Sequence, residues 1–584
     1  MPASTFGILS LAPPLLAIVL AMYTRQVLVS LYAGVWIGAL LVAGWNPVVA
    51  TTTSLDWIVQ TVRDPWQAKF ILLIMFMGAG AAFIYKSGSL IALERWVGER
   101  VVNSRETTLL TWLIGIFIFF SSYTSTVVTG NATREMSKDN GTSRELHSYV
   151  LDSTTSPVAT FGPVSSWIGF QVSMISEGLV AAGIAGSVAL SPFGIFLKSI
   201  PWNMYCLMAF FMVGLVATTQ RYFGPMLDAE WRSRTTGKSI REGGTPLSDV
   251  TTDVGEPSEK NPALVNFFLP IFVLLGVGVF AMWWIGGGPK PGVGISKAFT
   301  NTNVALALLY ASFAFMVTGF AGAMVYGTVD LDEASDTIVD GFKTMLIAIA
   351  IIVLAWSIGL AASKVGTADY IVNVMVGSGV PASVLPLIVF LASMFISFTT
   401  GTSWGTMGIL TPIAIPLGYQ FAGADILPVL MGVLFGGAIF GDHVSPISDT
   451  TVMSSIFAGS DHIDHVNSQV PLALLAAGTT TVSLILYAIG LQSLLVLLPL
   501  TYVLTMVGVY VLNKWDARRK NLPEVLPERE TIEGNEDLVE RIESGQADPS
   551  RLRGDNEWRN FMVILSWVVA IAYTIAVFAF STVA

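Results

Sequence analysis

Long apolar runs separated by short polar clusters set the pattern of this chain. Runs near 7–23, 27–44, 69–86, 107–120, 202–219, 264–285, 303–327, 343–362, 382–398, 426–440, 471–489, 492–512 and 561–581 carry almost no charge. A helix crosses the ~30 Å hydrocarbon core of a bilayer with about twenty such residues. The pattern therefore predicts an all-α polytopic membrane protein with about a dozen or more transmembrane helices. No lysine or arginine precedes the first run and no small-residue cleavage site follows it, so it is expected to be a retained span and not a secretory signal.

Composition narrows the class. Only 12% of the residues are charged and 53% are hydrophobic, with a mean hydropathy of +0.67, whereas soluble domains carry roughly 25% charge. The net charge of −10 is carried mainly in loops such as 330–340 and 524–555, so no basic footprint for nucleic acid exists. The lone cysteine, Cys206, excludes an intramolecular disulfide and a cysteine-based zinc site. No GxxxxGK[ST] phosphate loop is present, so an ion gradient is the expected energy source.

Two polar stretches interrupt the apolar pattern, 220–262 and 513–560. They are expected as a linker and a tail loop flanked by a first repeat (1–219), a second repeat (263–512) and a final helix (561–584). Arg221, Arg232, Arg234, Lys238 and Arg241 in one, and Lys514, Arg518, Arg519, Lys520, Arg551, Arg553 and Arg559 in the other, place both in the cytoplasm by the positive-inside rule. The same rule puts 86–105 there.

The two halves echo each other. "TSPVATFGPVSS" (155–166) aligns without gaps on "VSPISDTTVMSS" (444–455), "TGNATRE" (129–135) parallels "TGTSWGT" (400–406), and "GAGAAFIYKSG" (78–88) parallels "GLAASKVG" (359–366). Arg95, Arg100 and Arg105 follow the first Gly-Ala element but only Lys364 follows the second, which points to opposite orientations, as in inverted repeats.

Proline and hydroxyl strings inside apolar segments free backbone carbonyls, and within a membrane such backbone survives only when buried or lining a cavity. Paired interruptions are the best pointer to a transporter's central site. The second holds Asp442, His443, Ser445, Ser448, Asp449, Thr450 and Thr451; the first holds Asp152, Ser153, Thr154, Thr155, Ser156 and Thr160. These hard oxygen donors suit an ion like Na+. A carboxylate at such depth must be paired, coordinated or protonated, so Asp449 or Asp442 can alternate between a cation and a proton. The plainer alternative is a polar cap at a helix end.

A third break, "SFTTGTSWGTMG" (397–408), offers Thr400, Thr402 and Ser403 as cavity-lining hydroxyls or as close-packing positions. In "GSDHIDHVNSQVP" (459–471), Asp461–His462 and Asp464–His465 lie three residues apart and share a helix face. With His443 they are candidates for pH sensing, metal binding or proton relay, against a solvated interfacial turn.

At these residues the chain resembles the NhaC-type Na+/H+ antiporters of the ion transporter superfamily. The resemblance rests on "GDHVSPISDTT", "SDHIDHVNSQVPLALL", "TGTSWGTMGI" and, in the first half, the segment 143–170. It implies two inverted repeats, each with a broken or re-entrant helix, and an elevator-like movement. Where relatives read "FFDDYAN", this chain reads "FFSSYTS" (119–125), so Ser121 and Ser122 replace a pair of acids.

The leading expectation is a secondary transporter of the cytoplasmic membrane that exchanges Na+ for H+. Na+ is expected at Asp449, Ser448 and Thr450, with Asp442, Ser445, Asp152, Ser156 and Thr155 completing the ion- and proton-binding set. Thr400, Thr402, Ser403, Ser121 and Ser122 are expected to line the cavity. No cofactor is expected beyond the transported Na+ and H+. The expected partners are inorganic cations and the lipid bilayer, with a homodimer as the assembly to test and no nucleic acid. The alternative on the same fold is a Na+-coupled or exchange carrier of small organic anions or amino acids, with Arg134 and helix N-termini holding a carboxylate. From another class, a membrane zinc hydrolase would use Asp461 to His465, but the HExxH motif is absent.

Overall fold

The computed structural model describes residues 6–24, 26–89, 91–92, 101–119, 122–161, 167, 171–172, 174–175, 178–179, 182–184, 192–247, 258, 260–294, 298, 302–366, 370, 381–552 and 561–583. The regular elements among these residues are helices, with one isolated β-bridge between Pro246 and Asp461. The first half contains α1 (Ala12–Thr24), α2 (Val27–Val42), α3 (Pro47–Arg63), α4 (Pro65–Lys86), α5 (Ser104–Phe117), α6 (Ser122–Asp139), α7 (Arg144–Phe161), α8 (Pro192–Ser199) and α9 (Met204–Thr219). A polar helix, α10 (Pro225–Thr236), precedes α11 (Val265–Ile285), α12 (Val304–Val325), α13 (Leu331–Thr344), α14 (Leu346–Val365), α15 (Leu385–Thr400) and α16 (Ser403–Ala422). The chain continues through α17 (Leu427–Val444), α18 (Asp449–Ala458), α19 (His462–Ala488), α20 (Leu494–Lys520), α21 (Arg529–Glu533), α22 (Glu536–Glu543) and α23 (Phe561–Val583).

Among the described residues, six helices are long and apolar enough to cross a membrane. A seventh candidate is α8 with α9, bent by 53° at Asn203. The protein is thus an all-helical, multi-pass membrane protein. Several helices nearest the centre are more polar than a lipid-facing span because protein, not lipid, surrounds them. Every residue of α7, from Arg144 to Phe161, is buried although the helix is rich in hydroxyls and charges.

Among the described residues the helices pack into two large apolar clusters and a small third one of Phe83, Ala323, Val329 and Ala334. One large cluster joins α1–α4 to α11, α12 and α14, and the other joins α5, α7–α9, α15–α17, α19, α20 and α23. Helices α6 and α18 lie at the seam, with Tyr123, Val127, Val452, Ile456 and Phe457 buried against the first cluster while both helices pack on α7. Both halves repeat one order of elements: helix, gap, helix, reversal, helix (α5–α6–α7 and α15–α16–α17). That order pairs the turn at Ile118–Phe119, after α5, with Gly401–Thr402. The 129–135 stretch, which parallels 400–406 in sequence, lies inside the unbroken helix α6.

The first interruption also departs from expectation. Asp152 to Thr160 lie within continuous α7, which runs through Pro157 to Phe161. In the second half the helix does break, and Ser445 to Ser448 separate α17 from α18.

Two polar stretches pack on one another at the ends of these helices. Arg234 of α10 is fully buried and donates to Glu230 Oε2 (2.9 Å), Gln220 Oε1 (2.5 Å), Pro527 O (3.0 Å) and Ser104 Oγ (3.2 Å). The tail after α20 is thereby tied to the first residue of α5.

Candidate ion-binding site

Small residues bring the site together. On α17, a β-carbon at Gly437 would meet Phe390 O at 2.6 Å and one at Gly441 would run into Phe398 N. Two serines of α15 complete this close contact, Ser393 donating to Leu434 O (2.6 Å) and Ser397 to Ala438 O (2.5 Å). Such packing is the membrane substitute for a hydrophobic driving force. Gly401, between α15 and α16, has φ +65°, and a β-carbon there would meet Ile447 O at 2.7 Å, so the two breaks of the second half stack.

Into this junction α17 delivers Asp442, which is fully buried. Its carboxylate accepts from Ser448 Oγ (2.5 Å), Thr450 Oγ1 (2.8 Å) and Ser403 Oγ (3.4 Å). Ser403 and Asp449 are the first residues of α16 and α18, so two helix N-termini approach the same carboxylate, where their dipoles favour negative charge. Asp449 accepts from Tyr123 Oη and from Thr450 N (3.0 Å). Ser448 caps α18 by accepting from Thr451 N (3.3 Å).

Asp152 reaches the same region from α7. It accepts from Gln469 Nε2 (2.7 Å), Thr451 Oγ1 (3.0 Å) and Ser454 Oγ (3.3 Å). Asp152, Asp442 and Asp449 therefore meet on consecutive residues of α18, Thr450 and Thr451. Among the described residues no lysine or arginine pairs with any of the three. Each uncompensated carboxylate at mid-membrane costs about 3 kcal/mol; three would take most of a typical folding stability of roughly 5–15 kcal/mol.

The other expected residues distribute as follows. Ser445 Oγ donates to Phe398 O (2.9 Å), holding the break to α15. Thr155 shares a hydrogen bond with Thr126 (3.0 Å), and Ser156 Oγ is buried with no partner among the described residues. Thr400 bonds its own helix at Ile396 O (2.7 Å), and Thr402 caps α16 at Gly405 N (3.2 Å), so neither reaches the carboxylates. Ser122 accepts from Trp167 Nε1 (3.2 Å), and Ser121 lies outside the described residues. His443 shares a hydrogen bond with Tyr205 Oη (2.9 Å).

The Asp-His pairs are split by their helix. Asp461 caps α19 and accepts from Thr245 N (3.0 Å), and Asp464 pairs with Arg241, both on the side of the polar 220–262 stretch. His462 and His465 turn inward to Ser455. Among the described residues no three His, Cys, Asp or Glu side chains converge to hold a metal ion. Arg134 lies against Gly459, at the opposite end of α18 from the carboxylates. Tyr123, Ser454, Ser455 and Gln469 belong to the network, although the sequence motifs that contain them gave them no role. The spacing of His462, His465 and Gln469 (i, i+3, i+7) is the signal that marks one inward helix face.

A profile of the Na+/H+ antiporter family matches residues 158–489. The match covers more than half of the chain, which belongs to that family. An uncharacterised protein of Haemophilus influenzae is 31% identical over 486 residues, covering 82% of this chain and 90% of that one. The malate-2H+/Na+-lactate antiporter of Bacillus subtilis is 34% identical over 191 residues, 32% of this chain and 38% of its own length. An arginine/ornithine antiporter of Halobacterium salinarum is 30% identical over 159 residues, 27% of this chain and 31% of that protein. The protein is a secondary transporter and not an enzyme.

Proposed function

We propose that this transporter exchanges Na+ for H+ across the cytoplasmic membrane, with the 220–262 and 513–560 stretches on the cytoplasmic side. The observation that carries the reading is the meeting of three buried carboxylates on one short helix without a basic partner among the described residues. Such a cluster is stable only when cations or protons occupy it. Asp449, Ser448, Thr450 and Asp442 are the proposed Na+ ligands: their oxygens are hard donors, and the hydroxyls can turn from donating to a carboxylate to coordinating a cation. Competition between Na+ and H+ for these carboxylates then supplies exchange. Because Thr450 touches both Asp442 and Asp449, Ser121 and Ser122 in place of acids need not remove coupling.

A pH-gradient assay in proteoliposomes tests this reading, with Na+, Li+ and K+ added in turn to the wild type and to Asp449→Asn. Na+-dependent dissipation of the gradient is expected in the wild type, with loss of at least about 100-fold in the variant, in line with removal of an essential charged group. No dissipation by folded wild type would overturn it. The names of the Bacillus and Halobacterium relatives favour a second reading, exchange of small carboxylates or amino acids. Counterflow of labelled malate, lactate, arginine or ornithine separates the two.

A further inference from the structure

The least buried of the six spans is α20. Its apolar run from Leu494 to Leu512 covers about 28 Å at 1.5 Å per residue, close to the ~30 Å hydrocarbon core. Val496, Val503, Val507 and Tyr510 follow one another at helical spacing along one exposed face, and Lys514 and Arg518 continue it beyond Tyr510. The face thus passes from hydrocarbon into the headgroup layer. Tyr510 and the exposed Trp515 stand at that boundary, where amphipathic rings settle.

Cations gather at this level. Arg221, at the start of the polar 220–262 stretch, holds its guanidinium 5.0 Å from the centroid of the Tyr510 ring, and Lys514 holds its ammonium 5.6 Å from the same centroid. Asn513 Oδ1 accepts from Arg221 Nη1 (2.9 Å) and fixes it there. Two like charges held at one ring repel, and an anion beside them relieves the repulsion. The neighbouring acids are already engaged. Glu524 is divided between Arg221 (3.4 Å) and Arg518 (3.6 Å), and Asp516 between Arg519 (3.0 Å) and Lys520 (2.8 Å). Lys520 also takes Asp228 (2.8 Å). Lys514 has no carboxylate partner among the described residues.

Arg221 and Arg518 also line a cleft of about 550 Å³ with Asn521, Glu524, Asp548 and Ser550. Asp548 accepts from Ser550 N (2.9 Å) within its own turn. Three cations therefore face two acids, and the corner keeps a positive charge.

We propose that this corner binds the headgroup of an anionic glycerophospholipid, with its phosphate at Arg221, Lys514 and Arg518, its polar head in the cleft and its acyl chains along Val507 and Val503. A zwitterionic headgroup brings its own cation to Lys514 and gains less from the basic residues. A free phosphate lacks the chains that the exposed stripe covers. The site lies outside the exchange machinery and depends on neither its cargo nor its carboxylates.

Native mass spectrometry of the full-length protein in detergent tests the site, with separate titrations of phosphatidylglycerol, phosphatidylcholine and glycerophosphoglycerol, the anionic headgroup without chains. Phosphatidylglycerol is expected to bind at least about tenfold more tightly than the other two. Lys514→Gln and Arg518→Gln should each weaken it about fivefold, the share of one basic residue near an anionic headgroup. Glu524→Gln should tighten it by a similar factor of about five, a gain that misfolding does not imitate. Lys260→Gln with Lys290→Gln, an equal loss of charge at exposed positions elsewhere, should leave it unchanged. Equal affinity for the two lipids, an unmoved affinity in the Lys514→Gln/Arg518→Gln double variant, or an equal loss in the Lys260/Lys290 control overturns the proposal. Equal binding of glycerophosphoglycerol also overturns it and makes a soluble anion the occupant. If Arg518→Gln does not fold, Lys514→Gln and Glu524→Gln decide between them, because only a headgroup site moves affinity in opposite directions.

Discussion

Ser156-Pro157 and Ser445-Pro446 are the same dipeptide in two polar, buried segments, yet the first lies inside a helix and the second divides one. Proline is common to both and so does not decide the outcome. In α7 it removes one backbone hydrogen bond; Thr160 bonds back to Ser156 O (2.8 Å) and the helix carries on. At the two stacked breaks of the second half, backbone groups find takers. Ser445 reaches Phe398 O, His462 reaches Pro446 O, and Ser448 receives Thr451 N. Gly401 adds the space. A break forms where partners for the freed groups already stand.

Substitutions in these segments sharpen that comparison. Gly401→Ala should have the largest effect, because it combines left-handed strain of about 1–2 kcal/mol with a forced shift of Ile447 of similar cost. A loss of about 3 kcal/mol in chemical unfolding is expected, with exchange falling in parallel. An unchanged midpoint would mean that the two breaks do not depend on each other. The two Ser-Pro segments next differ at their hydroxyls. Ser448→Ala should cost about 1–2 kcal/mol by removing a cap and weaken apparent Na+ affinity in a transport titration. Pro157→Ala restores one helical hydrogen bond and should stabilise by about 1 kcal/mol. If it destabilises instead, α7 uses its proline. The smallest effect belongs to Ser156→Ala, which removes a hydroxyl with no partner among the described residues and should change thermal stability by less than about 0.5 kcal/mol.

The same physics explains what sequence reading reached. The carboxylates and hydroxyls of 442–451 were legible because charge inside an apolar run is costly and so implies a role. Asp152 was legible for the same reason, although its segment does not break. Thr400 and Thr402 share the composition of Ser403, but they satisfy their own helix while Ser403 reaches Asp442. Hydroxyl content gives no direction, and only the helix phase relative to α17 distinguishes them. Gln469 was given no role because a neutral amide carries no charge to flag it.

Hydrophobic periodicity and charge asymmetry by themselves determined that this chain is a multi-pass helical membrane protein with its polar chemistry concentrated in a few interruptions. Apolar run length against bilayer thickness is a local property of the chain. Which interruption breaks, which acids share one helix, and which histidines face inward were decided only by tertiary structure. Those outcomes depend on donors and acceptors hundreds of residues apart in the chain, such as Asp152 with Gln469 and Tyr123 with Asp449. In a low-dielectric interior every polar group needs its partner, and the partner's position is a property of the packed fold.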